Sequence, residues 1–152
     1  LEAVFVAKAD IRSWPLLGGL ASSTGTIFID RGSRRDTLRV GATIERALAN
    51  GRAVVVFPEG TSTDGAAVLP FKSSLLDVAA RNALPVHYAT IGYSIAEAAW
   101  GDDEPFGRHA WRLLQQPRIE ATLRFGAAPV VSDDRKELAR ELWERVSAGR
   151  TS

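Results

Sequence analysis

The 152-residue sequence contains no cysteine, which excludes disulfides, thiol nucleophiles and cysteine-ligated zinc or iron–sulfur centres. It contains no methionine either, and it opens Leu1-Glu2-Ala3 directly into an apolar run, so it reads as a piece of a longer translated chain. Long hydrophobic stretches are missing as well. The longest unbroken apolar runs are as short as Ala53–Phe57, far below the roughly 20 residues that a bilayer-spanning helix needs, and no signal-peptide pattern is present. There is no charge excess: nineteen basic against eighteen acidic residues leave a net charge of +1. That balance argues against a general nucleic-acid partner, which calls for a concentrated basic surplus. What is present is ordinary for a globular chain. With 45% hydrophobic and 24% charged residues, a core can be buried and global disorder is excluded. The length fits one domain spanning residues 1–152. Sixteen of the basic residues are Arg and three are Lys (Lys8, Lys72, Lys136), a skew that reads as coding bias before chemistry.

Short β-branched runs alternate with helical periodicity. Val4–Ala7, ending at Lys8, and Thr26–Ile29, closed by Asp30-Arg31-Gly32, read as strands. Between them, Ala9–Ala21 has a helical cast, with Pro15 suited to a first turn and Gly18-Gly19 weakening the middle. Asp36 is expected to cap a helix whose apolar face runs Val40, Ile44, Ala47, Leu48 and which ends at Asn50-Gly51. Ala53–Phe57 is apolar without alternation, the pattern of a parallel strand buried on both faces. Glu59–Gly65 has loop composition. Ser73 or Ser74 would cap a helix carrying Leu75, Leu76, Val78 and Ala79, and Pro85 would launch a strand through Ile91. Two βαβ units follow from this order, with right-handed crossovers. Further on, a short helix near His109–Gln115, an alternating strand over Ile119–Phe125 and an amphipathic helix over Lys136–Ser147 complete the chain. The predicted class is α/β, with a central, mostly parallel sheet plus a C-terminal strand and helix.

Ligands of open α/β sheets bind beyond the carboxyl ends of the strands. Three such ends are legible: Lys8, Asp30-Arg31, and Pro58-Glu59-Gly60-Thr61. A cation, a guanidinium that matches phosphate bidentately and a Gly-Thr loop whose amides approach an oxygen closely together describe an anion site. Glu59 does not suit direct phosphate contact; it would hold Arg31 or Lys8, or accept a hydrogen bond from a substrate hydroxyl. Taken singly, a strand-terminal Arg is commonly a solvated charge, a Glu-Gly-Thr an ordinary turn and a strand-terminal Lys unremarkable. Their fall on one predicted edge is what lifts them above those readings. His87 and His109 are followed by no carboxylate at helical or short-loop spacing, and His-Glu-x-x-His, Gly-x-Ser-x-Gly and Gly-x-x-x-x-Gly-Lys motifs are absent.

Phe5-Val6-Ala7-Lys8, Trp14-Pro15-Leu16-Leu17-Gly18 and Gly25-Thr26-Ile27-Phe28-Ile29-Asp30-Arg31 resemble segments of the lysophosphatidic acid acyltransferase family. So do Val56-Phe57-Pro58-Glu59-Gly60-Thr61-Ser62, Leu69-Pro70-Phe71-Lys72 and Leu84-Pro85-Val86. The resemblance covers residues 4–93; each piece is short, and the order of Phe-Ile-Asp-Arg and then Phe-Pro-Glu-Gly-Thr makes it specific. It implies a glycerol-3-phosphate acyltransferase-like fold and transfer of a fatty acyl group from acyl-CoA or acyl-carrier protein to a lysophospholipid hydroxyl in phospholipid biosynthesis. It implies no metal or redox cofactor and work at the cytoplasmic face of a membrane. By the same resemblance Arg31 and Glu59-Gly60-Thr61 would bind the glycerol-phosphate head, Lys8 would stand at the same edge, and Pro85 would belong to the block shaping the acyl or acceptor pocket. Membrane contact is expected at Trp14–Leu20, beside Arg12, Arg34 and Arg35.

Three departures from the family pattern are visible. Ser62 stands where an Arg usually follows Glu-Gly-Thr, which leaves non-phosphate acceptors such as ornithine lipids open. A second proline expected after Pro85-Val86 is replaced around Tyr88. The His-x-x-x-x-Asp block, general base and its orienting acid, is absent and is expected upstream of Leu1, so these residues alone would be inactive. The rival reading, from a different class, is a non-catalytic phosphate- or nucleotide-binding α/β module.

Overall fold

Valine and isoleucine alternating with outward residues build the first sheet. In the computed structural model, which describes residues 2–9, 19, 23, 25–30, 34–101 and 104–150, β1 spans Ala3–Lys8. Val4 (1% exposed) and Val6 face the core, while Phe5 points the other way and is exposed. β2 (Ile27–Ile29) repeats the pattern with both isoleucines buried. β3 (Ala53–Val56) completes a three-stranded parallel sheet in the order β2-β1-β3. The register places Lys8 beside Ile29 and Val6 beside Val56. The helix α1 (Arg34–Ala49) connects β2 to β3, with Val40, Ile44 and Ala47 buried and Leu48 half-buried at the expected spacing. Each such aliphatic side chain withdrawn from water contributes on the order of 1.5–3 kcal/mol.

The end of α1 follows its local sequence closely. Gly51 sits at φ 71°. Its N–H donates to the Leu48 carbonyl at 2.9 Å, and the Arg52 N–H reaches the Ala47 carbonyl at 3.0 Å. This pair of bonds is a Schellman cap, and it needs a residue that tolerates the left-handed region. The start of α1 differs from expectation. Asp36 lies inside the first turn, since the helix begins at Arg34, and its carboxylate is drawn to the backbone after β2 instead of capping the helix. β3 also differs: Ala53–Val56 is half-buried throughout and Phe57 is 55% exposed, because β3 pairs only with β1 among the described residues.

The described chain divides into two compact units, Leu1–Pro58 and Glu59–Ser152. In the second, a loop runs to a 3₁₀ turn (Ser73–Leu75), the short helix α2 (Asp77–Arg81) and the strand β4 (Ala89–Tyr93). A second 3₁₀ turn (Ala96–Ala98), the helix α3 (Phe106–Leu114), the strand β5 (Ala121–Phe125) and the helix α4 (Arg135–Arg150) follow. The core gathers Leu75, Leu76, Val78, Ala80 and Val130 against Leu138, Ala139 and Leu142 of α4. Neither Ser73 nor Ser74 caps a helix; Lys72 and Leu76 occupy those positions without a side-chain bond. α4 does have such a cap. Asp134 Oδ1 accepts the N–H groups of Lys136 at 2.6 Å and Glu137 at 3.1 Å.

The strand expected to follow Pro85 does not continue the parallel sheet among the described residues. β4 pairs antiparallel with β5 over five residue pairs, Ala89 opposite Phe125 through Tyr93 opposite Ala121. The alternating Ile119–Phe125 stretch offers this partner, and the pairing extends to a bridge between Val86 and Val130. Between the two, Tyr88 accepts the Gly126 N–H at 2.9 Å, and its ring lies where a Cβ on residue 126 would be. A side chain at residue 126 would have to displace that ring.

Candidate functional site at the carboxyl edge of the parallel sheet

Because all three strands of the first sheet run parallel, their carboxyl ends share one edge. Lys8 ends β1, Asp30 follows β2, and Phe57-Pro58 follow β3 there. The predicted meeting of the first two strand ends therefore holds for the backbone. The Lys8 side chain lies outside the described atoms, and Arg31 lies outside the described residues, as do Trp14–Gly18 and Leu20.

What fixes this edge locally is a charged clamp from the first turn of α1. The Asp36 carboxylate accepts the Asp30 N–H through Oδ2 at 2.7 Å and Arg39 Nε–H through Oδ1 at 2.6 Å. Arg39 then donates from Nη2 to the Phe28 carbonyl at 3.0 Å. One acid and one guanidinium thus hold a carbonyl within β2 and the amide of the residue that follows it. The Arg39 hydrogen bond, followed by that of the Asp30 amide, holds the Asp36 carboxyl below the ordinary aspartate range, and Arg39 is raised in return. Asp36 is therefore a clamp on the strand exit and not the helix cap its position suggests. The pattern that marks it is an acid three residues before an arginine in a first helical turn.

Glu59, Gly60 and Thr61 belong to the second unit. Gly60 has φ 75°, the left-handed backbone that its residue type allows. The half-buried Glu59 accepts the Leu69 N–H through Oε2 at 2.7 Å, so the carboxylate closes the base of the loop that begins at Gly60. Thr61 is exposed, with its hydroxyl 3.4 Å from the Ser62 carbonyl. Inside the loop, Thr63 Oγ1 accepts the Gly65 N–H at 3.2 Å and Asp64 Oδ1 the Ala66 N–H at 2.9 Å. Pro85 is exposed, just before Val86 enters its bridge with Val130.

His87 is exposed, but His109 is 3% exposed and does have an acidic partner. Its Nδ1 lies 3.1 Å from Glu104 Oε1, and Arg112 donates to the same carboxylate at 2.7 Å and 3.2 Å. No carboxylate follows His109 at short spacing in the sequence; its partner Glu104 lies upstream. Trp100 covers the group, its Nε1–H donating to the Glu104 carbonyl at 2.9 Å and its ring 5.3 Å from that of Phe106. Asp64, Gly101, Glu104 and Arg112 line part of an open cleft of about 280 Å³. Its Glu104 charge is met by Arg112, so the arrangement reads as a satisfied structural network. Among the described residues, no group of three His, Asp or Glu side chains is placed to hold a metal, and no helix is long and apolar enough to cross a membrane.

The family described as Acyltransferase matches residues 2–94, and the chain belongs to it. It is 34% identical to the lyso-ornithine lipid O-acyltransferase of Rhizobium meliloti (strain 1021), over 95% of this chain and 56% of that protein. It is 30% identical to the 1-acyl-sn-glycerol-3-phosphate acyltransferase of Neisseria gonorrhoeae, over 95% of this chain and 59% of the relative. In fold it is similar to the crystal structure of the 1-acyl-sn-glycerophosphate (LPA) acyltransferase PlsC from Thermotoga maritima, with a TM-score of 0.60 and 24% identity. That superposition covers 97% of this chain and 55% of the other. The chain therefore spans little more than half the length of these relatives.

Proposed function

We propose that these residues form the acceptor-binding side of an enzyme that moves a fatty acyl group from a thioester to the hydroxyl of a lysophospholipid. The donor is acyl-CoA or acyl-carrier protein, and the acceptor is lysophosphatidate-like or a lyso-ornithine lipid. In the transfer the acceptor oxygen forms an ester bond to the acyl carbon, the carbon–sulfur bond breaks, and the hydroxyl proton passes through a base to the leaving thiol. The sequence contains no His-x-x-x-x-Asp, so this reading gives these residues the acceptor contacts and assigns them no general base. Arg31 and Glu59-Gly60-Thr61 are the proposed contacts to the acceptor head, with Lys8 and Pro85 as secondary ones. Residues 1–152 act as a single acyltransferase domain in this reading, at the cytoplasmic face of a membrane and without a metal or redox cofactor. Membrane contact is assigned to Trp14–Leu20, which lies outside the described residues apart from Gly19.

The observation that carries the reading is the shared carboxyl edge of β1, β2 and β3, with Asp30, the residue before Arg31, held by Asp36. It is tested in the natural protein that carries this chain, by acyl-transfer kinetics with lysophosphatidate and with lyso-ornithine lipid as acceptors. Arg31→Ala is expected to raise the acceptor KM by roughly 10- to 150-fold, the worth of a charge-assisted hydrogen bond. Arg31→Lys should recover little, because a point charge does not reproduce the guanidinium fork. Normal saturation of both variants by both acceptors would remove the assignment.

A further inference from the structure

Two hydrogen bonds of the second unit converge on one peptide group. Trp143 Nε1–H donates to the Val68 carbonyl at 3.0 Å, and the Leu69 N–H, the other end of that same peptide plane, donates to Glu59 Oε2 at 2.7 Å. A peptide group is planar and stiff, so its carbonyl and its N–H cannot be turned independently. Bonds in such a chain also polarise one another in the same sense. The indole thus reaches the Glu59 carboxylate through a single rigid plane. Trp143 lies on α4, beyond the residues 2–94 that match the family.

The same helix grips the loop at a second place. Arg150 donates from Nη1 to the Gly65 carbonyl and from Nη2 to the Ala66 carbonyl. The turns closed by Thr63 and Asp64, with Gly65 at φ 75°, shape the backbone that offers those two oxygens. The helix that carries both donors is itself fixed, since Leu138, Ala139 and Leu142 are all buried. From Glu59 to Leu69 the loop is therefore tied at its base by its own carboxylate and along its length by two side chains of one packed helix.

We infer that Trp143 and Arg150 are positioning residues, which orient Glu59 and hold the Gly60-Thr61 backbone for the acceptor head. The inference rests on the reading that Glu59-Gly60-Thr61 contacts that head. A tryptophan serving only to pack would be served nearly as well by phenylalanine, and an arginine serving only as surface charge by lysine. Both substitutions therefore separate positioning from bulk and charge.

The test uses the 152-residue chain, with glycerol 3-phosphate as the probe and two readouts, its dissociation constant and the hydrogen-exchange rate of the Leu69 amide. Trp143→Phe is expected to weaken the probe roughly threefold to tenfold, the scale of one neutral hydrogen bond. It should speed Leu69 exchange while the α4 amides keep their protection. Arg150→Lys, which loses the two-carbonyl fork, should shift both readouts in the same direction. Arg140→Ala, which breaks a 2.8 Å pair with Glu144 on the exposed side of α4, should change neither. If Glu59→Ala weakens the probe but Trp143→Phe and Arg150→Lys do not, the acceptor reading stands and the positioning role is wrong. If Trp143→Phe speeds exchange throughout α4, the indole is merely structural and the role is again wrong. If Glu59→Ala leaves probe binding unchanged, the acceptor reading falls and the positioning role falls with it.

Discussion

Asp36 accepts the backbone N–H of Asp30 at 2.7 Å, a bond between the first turn of a helix and the residue that leaves the preceding strand. Since Arg39 binds the other carboxylate oxygen and the Phe28 carbonyl, the exit of β2 is held on two sides. Asp36→Ala should therefore loosen this exit and weaken glycerol 3-phosphate binding. Its spectroscopic mark is loss of the low-field Asp30 amide proton that a carboxylate acceptor produces. A variant that retains both the amide position and wild-type affinity would dissociate the clamp from the site.

Acid should destabilise the protein through two aspartates. Asp36 is held low first by Arg39, and Asp134 first by the Glu137 amide and then by the Lys136 amide. In both cases the unfolded chain binds the proton more readily than the folded one. Their stabilisation is accordingly complete above the ordinary aspartate range, about pH 4, and is lost as pH falls through the lowered folded values. Asp134→Asn keeps a capping oxygen without the titration, so it should flatten the acid limb of Tm against pH while costing little at pH 7. Asp134→Ala should lower Tm at pH 7 as well. An unaltered acid limb in Asp134→Asn would contradict the assignment.

Packing in the second unit supports two stability predictions. Leu138 is 0% exposed, so Leu138→Ala should cost about 2–5 kcal/mol in denaturant unfolding. Gly126→Ala would drive a methyl group into the Tyr88 ring, an overpacking cost of about 1–3 kcal/mol. Adding Tyr88→Ala should return part of the Gly126→Ala loss, a coupling that a double-mutant cycle reads directly. Additive losses would mean that the ring and residue 126 do not meet.

The parts of the fold legible in the sequence are those decided by near neighbours. β1, β2, the apolar face of α1 and its Asn50-Gly51 end all follow from local periodicity and one glycine. β4 does not, because whether Ala89–Tyr93 joins a parallel sheet or an antiparallel pair depends on Ala121–Phe125, far along the chain. The site divides in the same way. Lys8 and Gly60 could be placed at strand ends and in a loop from spacing alone. Asp36 was visible as a helix-start residue, but its partner is a strand-end amide six positions earlier. The Glu104 partner of His109 and the bond from Trp143 to the Glu59 loop arise only from folding. No periodicity encodes which carbonyl an indole N–H will reach.

The most direct test of an acceptor-head site at this end of the chain is an amide-resonance map of the ¹⁵N-labelled 152-residue protein titrated with glycerol 3-phosphate. The expected result is saturable shifts at Asp30, Arg31, Gly60 and Thr61, abolished by Arg31→Ala and suppressed by salt as charge pairing requires. Shifts confined to the Glu104–Arg112 region, or a spectrum indifferent to the probe at millimolar concentration, would contradict it.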